Sequence, residues 1–178
     1  MTAIDEVRAL LLTGTIGTGK TAVATEVGVL LEERRLPCAV IDLDWLNWVS
    51  VGDGFDGYDE LLAANLAAIW PNFRAAGVRW FVLARALQDL GLLTLLREAL
   101  PEPRLTVVQL TAPPEVVAER LRRRDSGETL AGHLQETVTM TASMEAAGIA
   151  AAADAVVRND DRPVRAVALE VLDRIGWR

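Results

Sequence analysis

Lysine occurs once in the 178 residues, at position 20, and every other basic position is arginine. Cysteine and histidine also occur once each, as Cys38 and His133. A lone cysteine excludes an intrachain disulfide, and with a single histidine beside it a zinc site has almost no donors to draw on. Cys38 lies in the apolar run CAVI, which suits a buried structural thiol. Positive charge is scarce as well, with 18 Lys and Arg against 25 Asp and Glu, a formal net charge of −7. Phosphate neutralisation along a nucleic acid needs a basic face, so that class of partner is excluded. The arginines are scattered, apart from a cluster at Arg120, Arg122, Arg123 and Arg124. No apolar run reaches the roughly 18 residues of a membrane span. The first residues, MTAIDEVR, carry acid where a secretion signal carries base. Neither membrane association nor export is expected, and the location is expected to be cytoplasmic.

Apolar material is plentiful. Hydrophobic residues make up 51% of the chain, and the mean hydropathy is +0.23, enough for one packed core. No repeat, low-complexity segment or linker interrupts it, so residues 1–178 are expected to form a single domain. Apolar runs at 8–13, 38–42, 78–84, 105–110 and 154–159 read as strands, and segments of helical period lie between them at about 20–34, 60–76, 88–99 and 116–127. Pro163 is placed to open a last helix. Continuous apolar strands alternating with helices predict a parallel sheet covered on both faces, a three-layer α/β/α sandwich.

Residues 14–21 read GTIGTGKT and satisfy G-x-x-x-x-G-K-[ST] between a strand and a helix, the context that the pattern requires. Gly14, Gly17 and Gly19 let the backbone curl so that amide groups of Thr15, Thr18, Lys20, Thr21 and Ala22 converge on the phosphates of a nucleotide. Lys20 is then the ligand of the β and γ phosphates, and the Thr21 hydroxyl is a magnesium ligand. The cofactors expected are ATP and Mg. An N-K-x-D guanine-reading segment is excluded, because the only lysine is already in the loop.

Asp42 and Asp44 form a D-x-D at the end of the second strand, on the sheet edge where ligands of open α/β folds gather. Two carboxylates there suit a division of labour between holding metal and orienting an acceptor hydroxyl. The competing reading makes Asp44 the N-cap of a short helix and Asp42 a solvated strand end. Arg120 and Arg124, four apart, share a helical face. They suit stacking on adenine and donation to transferring phosphoryl oxygens, against the alternative of a solvated charged helix. The turn at Asp125, Ser126 and Gly127 is expected to let residues of about 120–135 close as a lid.

Taken together, the loop GTIGTGKT, the carboxylates of IDLDW, the arginines of RLRRR and the last strand and turn DAVVRNDDRPV resemble the phosphate-loop small-molecule kinases: shikimate, gluconate, adenylylsulfate and adenylate kinases and chloramphenicol phosphotransferase. The chain is also similar to actinobacterial ATPase-like proteins of unassigned substrate. The resemblance implies a five-stranded parallel sheet of order 2-3-1-4-5 and an ATP- and Mg-dependent phosphotransferase acting on an alcohol group of a small metabolite or antibiotic-like molecule. Its catalytic residues would be Lys20, Asp42, Asp44 and Arg124, with Thr21 and Asp42 on metal. Arg120 would lie over the adenine, with Asn159, Arg162 and Pro163 bordering it. Residues of about 45–76 take the place of an acceptor-binding insertion, where Asp44, Trp48, Asn65 and Arg85 are the candidate substrate contacts. Two readings stand for Arg85: it holds an anionic group of the acceptor, or it is a surface residue paired to a carboxylate. Trp48, and Trp45 three residues before it, either wall the acceptor pocket or anchor a helix to the core. The alternative function is an ATPase or nucleotide-sensing module that works on a protein partner. Which of Asp42 and Asp44 is the base, and the oligomeric state, stay open at this stage.

Overall fold

A computed structural model describes residues 6–52, 54–100 and 104–177. The acidic opening stretch at 1–5, read above against a secretion signal, and Asp53 of the acceptor insertion lie outside the described residues. In order, the elements are β1 (Arg8–Thr13), α1 (Lys20–Glu33), β2 (Cys38–Asp42), a 3-10 turn (Leu43–Leu46), α2 (Tyr58–Ala75), β3 (Trp80–Ala84), α3 (Leu90–Ala99), β4 (Leu105–Thr111), α4 (Pro114–Arg124), α5 (Gly127–Ala146), α6 (Ile149–Ala152), β5 (Ala155–Arg158) and α7 (Val164–Arg174).

All strand pairs are parallel, and the order is β2-β3-β1-β4-β5, as the family resemblance implied. The central strand is apolar throughout because both of its faces are covered: Ala9, Leu10, Leu11 and Leu12 have no exposed surface. Alternate residues feed two cores. Ala9 and Leu11 pack with Leu62, Leu66, Phe81, Leu96, Met140 and Met144 under α2, α3 and α5. Leu10 and Leu12 pack with Val23, Val27, Val167, Val171 and Trp177 under α1 and α7. Truncating one of these central leucines to alanine removes about 2–5 kcal/mol. Trp70 stacks on Phe81 with centroids 3.8 Å apart, and Trp80 meets Trp177 edge-on at 4.9 Å, so these three tryptophans are structural.

One expectation is corrected. Cys38 is only half-buried, on edge strand β2, with its thiol near the Gly28 carbonyl at 3.7 Å. Burial still pushes its pKa above the ordinary thiol value. After Arg124 a two-residue break at Asp125 and Ser126 leads into the 20-residue helix α5, so the residues of about 120–135 span the end of α4, that break and the start of α5. Its sequence is rich in threonine and glycine and buries only Met140 and Met144, so neither propensity nor amphipathic stripe marked it.

The register pairs Asp42 with Ala84, Leu12 with Ala84, and Thr13 with Gln109. Every strand therefore delivers its last residue to one edge of the sheet. The buried Thr13 hydroxyl accepts from the Leu87 amide at 2.9 Å, and the Arg85 amide donates to the Leu12 carbonyl at 3.1 Å. Those two bonds hold the turn after β3 against the phosphate loop.

Candidate active site

The loop between β1 and α1 folds around one carbonyl. Thr15 O accepts from the Thr18 amide (3.3 Å), the Thr18 hydroxyl (2.8 Å) and the Lys20 ammonium (3.1 Å). Glycine is required at two points for different reasons. At Gly14 a Cβ would stand 2.5 Å from the Leu110 carbonyl oxygen, and at Gly19, with φ of 89°, it would stand 2.6 Å from the Asn159 amide nitrogen. Lys20 is deeply buried, and desolvation holds its pKa below the ordinary lysine value; Asp44 and Asp42 pull it back up, while Arg85 and Arg124 push it further down.

The D-x-D does not stay extended. The chain turns at Leu43, and Asp42 is the cap: its Oδ1 accepts from the Asp44 amide at 3.1 Å and its Oδ2 accepts from the Thr21 hydroxyl at 2.8 Å. The N-cap that the competing reading placed at Asp44 is two residues earlier, at Asp42. Thr21 and Asp42 put two hard oxygen donors side by side. No group of three or more His, Cys, Asp or Glu able to hold a metal occurs among the described residues. That sparse oxygen set fits magnesium, which keeps most of its shell as water and substrate phosphate.

Asp44 turns away from Thr21 to meet Arg85. Its Oδ1 accepts from Arg85 Nη1 at 2.5 Å, and Asp59, at the start of α2, lies 3.7 Å from Arg85 Nη2. Burial raises the Asp59 pKa above the usual carboxylate value, with Arg85 opposing that shift. Trp48 is 76% exposed and Trp45 69%, and they stack with centroids 5.0 Å apart and planes within 11°. Neither indole anchors a helix to the core. Asn65 does not reach this space, since its amide donates to the Leu46 carbonyl and ties the 3-10 turn to α2.

On the other side, Arg120 points back over the loop. Its Nη1 donates to Asn159 O at 3.0 Å and its Nη2 to Asp160 O at 2.8 Å, with a longer bond of 3.4 Å to Gly17 O. The buried Asn159 side chain donates to Thr18 O at 2.7 Å, stitching the end of β5 to the loop. Arg162 binds Glu170 at 2.6 Å and Pro163 is the N-cap of α7, so both lie at the rim beyond Asn159. Arg124 grips Asp125 with Nε and Nη2, each at 2.9 Å. His133 Nδ1 lies 2.8 Å from Asp125 Oδ2 and 3.2 Å from Arg124 Nη2. The guanidinium first, then the imidazole, hold the Asp125 carboxyl down at about 2.

Asp125, His133 and Asp59 were missed as site residues. Asp125 was read only as a turn former and His133 only as a would-be metal ligand. The strand order itself carried the signal for Arg85, because neighbouring β2 and β3 must bring Asp42, Asp44 and Arg85 to adjacent strand ends.

These pieces enclose one cavity of about 640 Å³, lined by Gly19, Lys20, Thr21, Asp44, Trp48, Arg120, Arg124 and His133 among others. A phosphate loop, an acid beyond β2 and arginines from α4 thus face one space. A shikimate kinase from Acinetobacter baumannii in complex with shikimate superposes with a TM-score of 0.66 at 18% identity, over 98% of this chain and 96% of that one. The fold is that of the phosphate-loop small-molecule kinases. A sugar kinase from Janibacter sp. HTCC2649 matches this kinase fold with a TM-score of 0.65 at 19% identity, over 96% of this chain and 95% of that one. An APS kinase from Mycobacterium tuberculosis in complex with AMPPNP and APS gives 0.58 at 22% identity, over 96% and 98%. By sequence, no family model and no curated protein matches the chain. At these identities the kinase neighbours establish the fold and leave the acceptor open. No helix among the described residues is long and apolar enough to cross a membrane.

Proposed function

We propose that this chain is an ATP-dependent kinase that transfers the γ-phosphoryl group to a hydroxyl of a small molecule. The observation that carries the reading is the one cavity bringing Lys20 and Thr21 together with Asp44 from the 3-10 turn after β2 and Arg124 from α4. Lys20 is buried and mobile enough on its stem to follow phosphate oxygens, a task for which a planar guanidinium is too rigid. Arg124 presents its remaining donor nitrogen to the same space while Asp125 holds the guanidinium plane. Magnesium, when bound by Thr21 and Asp42, supplies charge neutralisation at the phosphates. Asp44 accepts or orients the proton of the acceptor hydroxyl, and its ion pair with Arg85 fixes where that carboxylate sits. Asp42 is already engaged by Thr21 and by the Asp44 amide, which favours the metal side for Asp42 and the acceptor side for Asp44.

Transfer is favoured over simple hydrolysis because β3 ends in Ala84 and continues into Arg85, so that strand brings no acid to position an attacking water. Lys20→Ala is expected to lower turnover on the order of 10²–10³-fold, as loss of one preorganised charge at a transition state does. Asp44→Asn is expected to spare binding of an unhydrolysable ATP analogue and to slow transfer by roughly 10²–10⁴-fold. Undiminished acceptor phosphorylation by the Asp42→Asn, Asp44→Asn double variant, measured as ADP release, would overturn the carboxylate assignment.

A further inference from the structure

The acceptor end of the cavity carries a second message, about charge. Lys20 and Arg124 lie on the phosphate side, and Arg120 is spent on the carbonyls of Asn159 and Asp160. The cation on the acceptor side is Arg85, which faces two carboxylates, Asp44 and Asp59, through its two terminal nitrogens. Its Nε is buried without a hydrogen-bond partner. An acceptor carboxylate, sulfate or phosphate entering here would meet Asp44 and Asp59 uncompensated, or would have to displace one of them from Arg85. Like charges at such separations repel, and the expected anion clamp is already filled by the protein itself.

The wall beyond Asp44 is aromatic instead. Trp48 lines the cavity, and Trp45 stacks behind it as a rigid backing, while both indoles keep most of their surface uncovered. Two adjacent tryptophans held parallel and left in water beside a catalytic cavity form a stacking platform for a flat ring.

Resting on the kinase reading above, we infer that the acceptor is a hydroxyl-bearing ring compound without negative charge, stacked on Trp48 with its hydroxyl turned toward Asp44. This separates the chain from its structural neighbours that hold shikimate and APS, both of which are anions.

The test uses matched pairs that differ only in charge: 4-(hydroxymethyl)benzamide against 4-(hydroxymethyl)benzoate, and the methyl ester of shikimate against shikimate. Each is added to the full chain with AMPPNP and magnesium, and thermal stability is read, since a ligand of the folded state raises the midpoint. The uncharged member of each pair is expected to raise the midpoint and the carboxylate to leave it unmoved. Trp48→Ala is expected to abolish the rise. Asp59→Asn, which frees one side of Arg85, is expected to improve carboxylate binding relative to its uncharged partner by about two- to fivefold, the scale of one partly exposed ion pair. Equal or stronger stabilisation by the carboxylates, a rise that survives Trp48→Ala, or silence of all four compounds while AMPPNP still stabilises the chain would each overturn the inference. Failure of AMPPNP itself to stabilise the wild-type chain more than Lys20→Ala would instead remove the kinase reading beneath it.

Discussion

The two halves of the cavity are built by opposite means. On the nucleotide side the recognition surface is main chain: curled amides of the loop, the Thr15 carbonyl as internal hub, and the Asn159 side chain clamped to Thr18. Its polar groups are buried and paired, with Thr18 at 3% and Asn159 at 5% exposure. On the side proposed for the acceptor the surface is side chain, supplied by a 3-10 turn and the residues leading into α2, with Trp45, Trp48, Val51, Phe55 and Tyr58 exposed. A main-chain site leaves little to vary without breaking the fold. A side-chain site on a loop can change its ligand while the two cores stay as they are.

Substitutions on the two sides should therefore differ in kind. Of the site substitutions, the largest effect on stability is expected at Asn159→Ala, which strands the Thr18 carbonyl and removes the 3.5 Å contact of Arg120 with Asn159 Oδ1, at a cost of about 1–3 kcal/mol. Denaturant unfolding reads that cost, and nucleotide affinity should fall with it; a neutral Asn159→Ala would end the claim that the nucleotide side is structurally committed. Next comes Asp125, between the two halves. Its folded-state pKa is depressed to about 2, below the ordinary aspartate value of 3.8, so its ion pairs stabilise the protein above about pH 4 and lose that contribution as the pH falls toward 2. Asp125→Asn should accordingly be less stable than the wild type at neutral pH, with the gap closing in that acid window. A pH-independent gap would point to packing rather than charge. Smallest is Trp45→Ala, which should move stability by no more than about 0.5 kcal/mol because the indole is already in water. If the backing role holds, acceptor KM rises in this variant while nucleotide affinity stays level, and equal changes in both would blur the distinction between the halves.

The same contrast governs what was legible in the sequence. Main-chain recognition needs glycine at set intervals, and a contiguous eight-residue pattern announces it without help from distant residues. The strands were visible because burial on both faces leaves no polar interruption in Ala9–Leu12 or Phe81–Ala84. The cluster of Asp44, Asp59 and Arg85 joins residues 41 and 26 positions from Arg85, brought together by the β2-β3 pairing and the start of α2, and no local spacing encodes that contact. Helix α5 escaped for a different reason: its buried methionines are too few to write a stripe, and its role in bringing His133 to Asp125 depends on the break before it. Asp42 was legible as a residue and not as a conformation, since the turn at Leu43 exchanges the extended D-x-D for a cap.

The bond from Asn159 to Thr18 spans 141 residues. A growing chain writes the entire glycine loop early, yet the partner that closes against Gly19 emerges only after β4, α4 and α5 have been made. The glycine loop near the start of the chain is therefore completed by a residue near its end, and its closed form depends on β5 having joined the sheet.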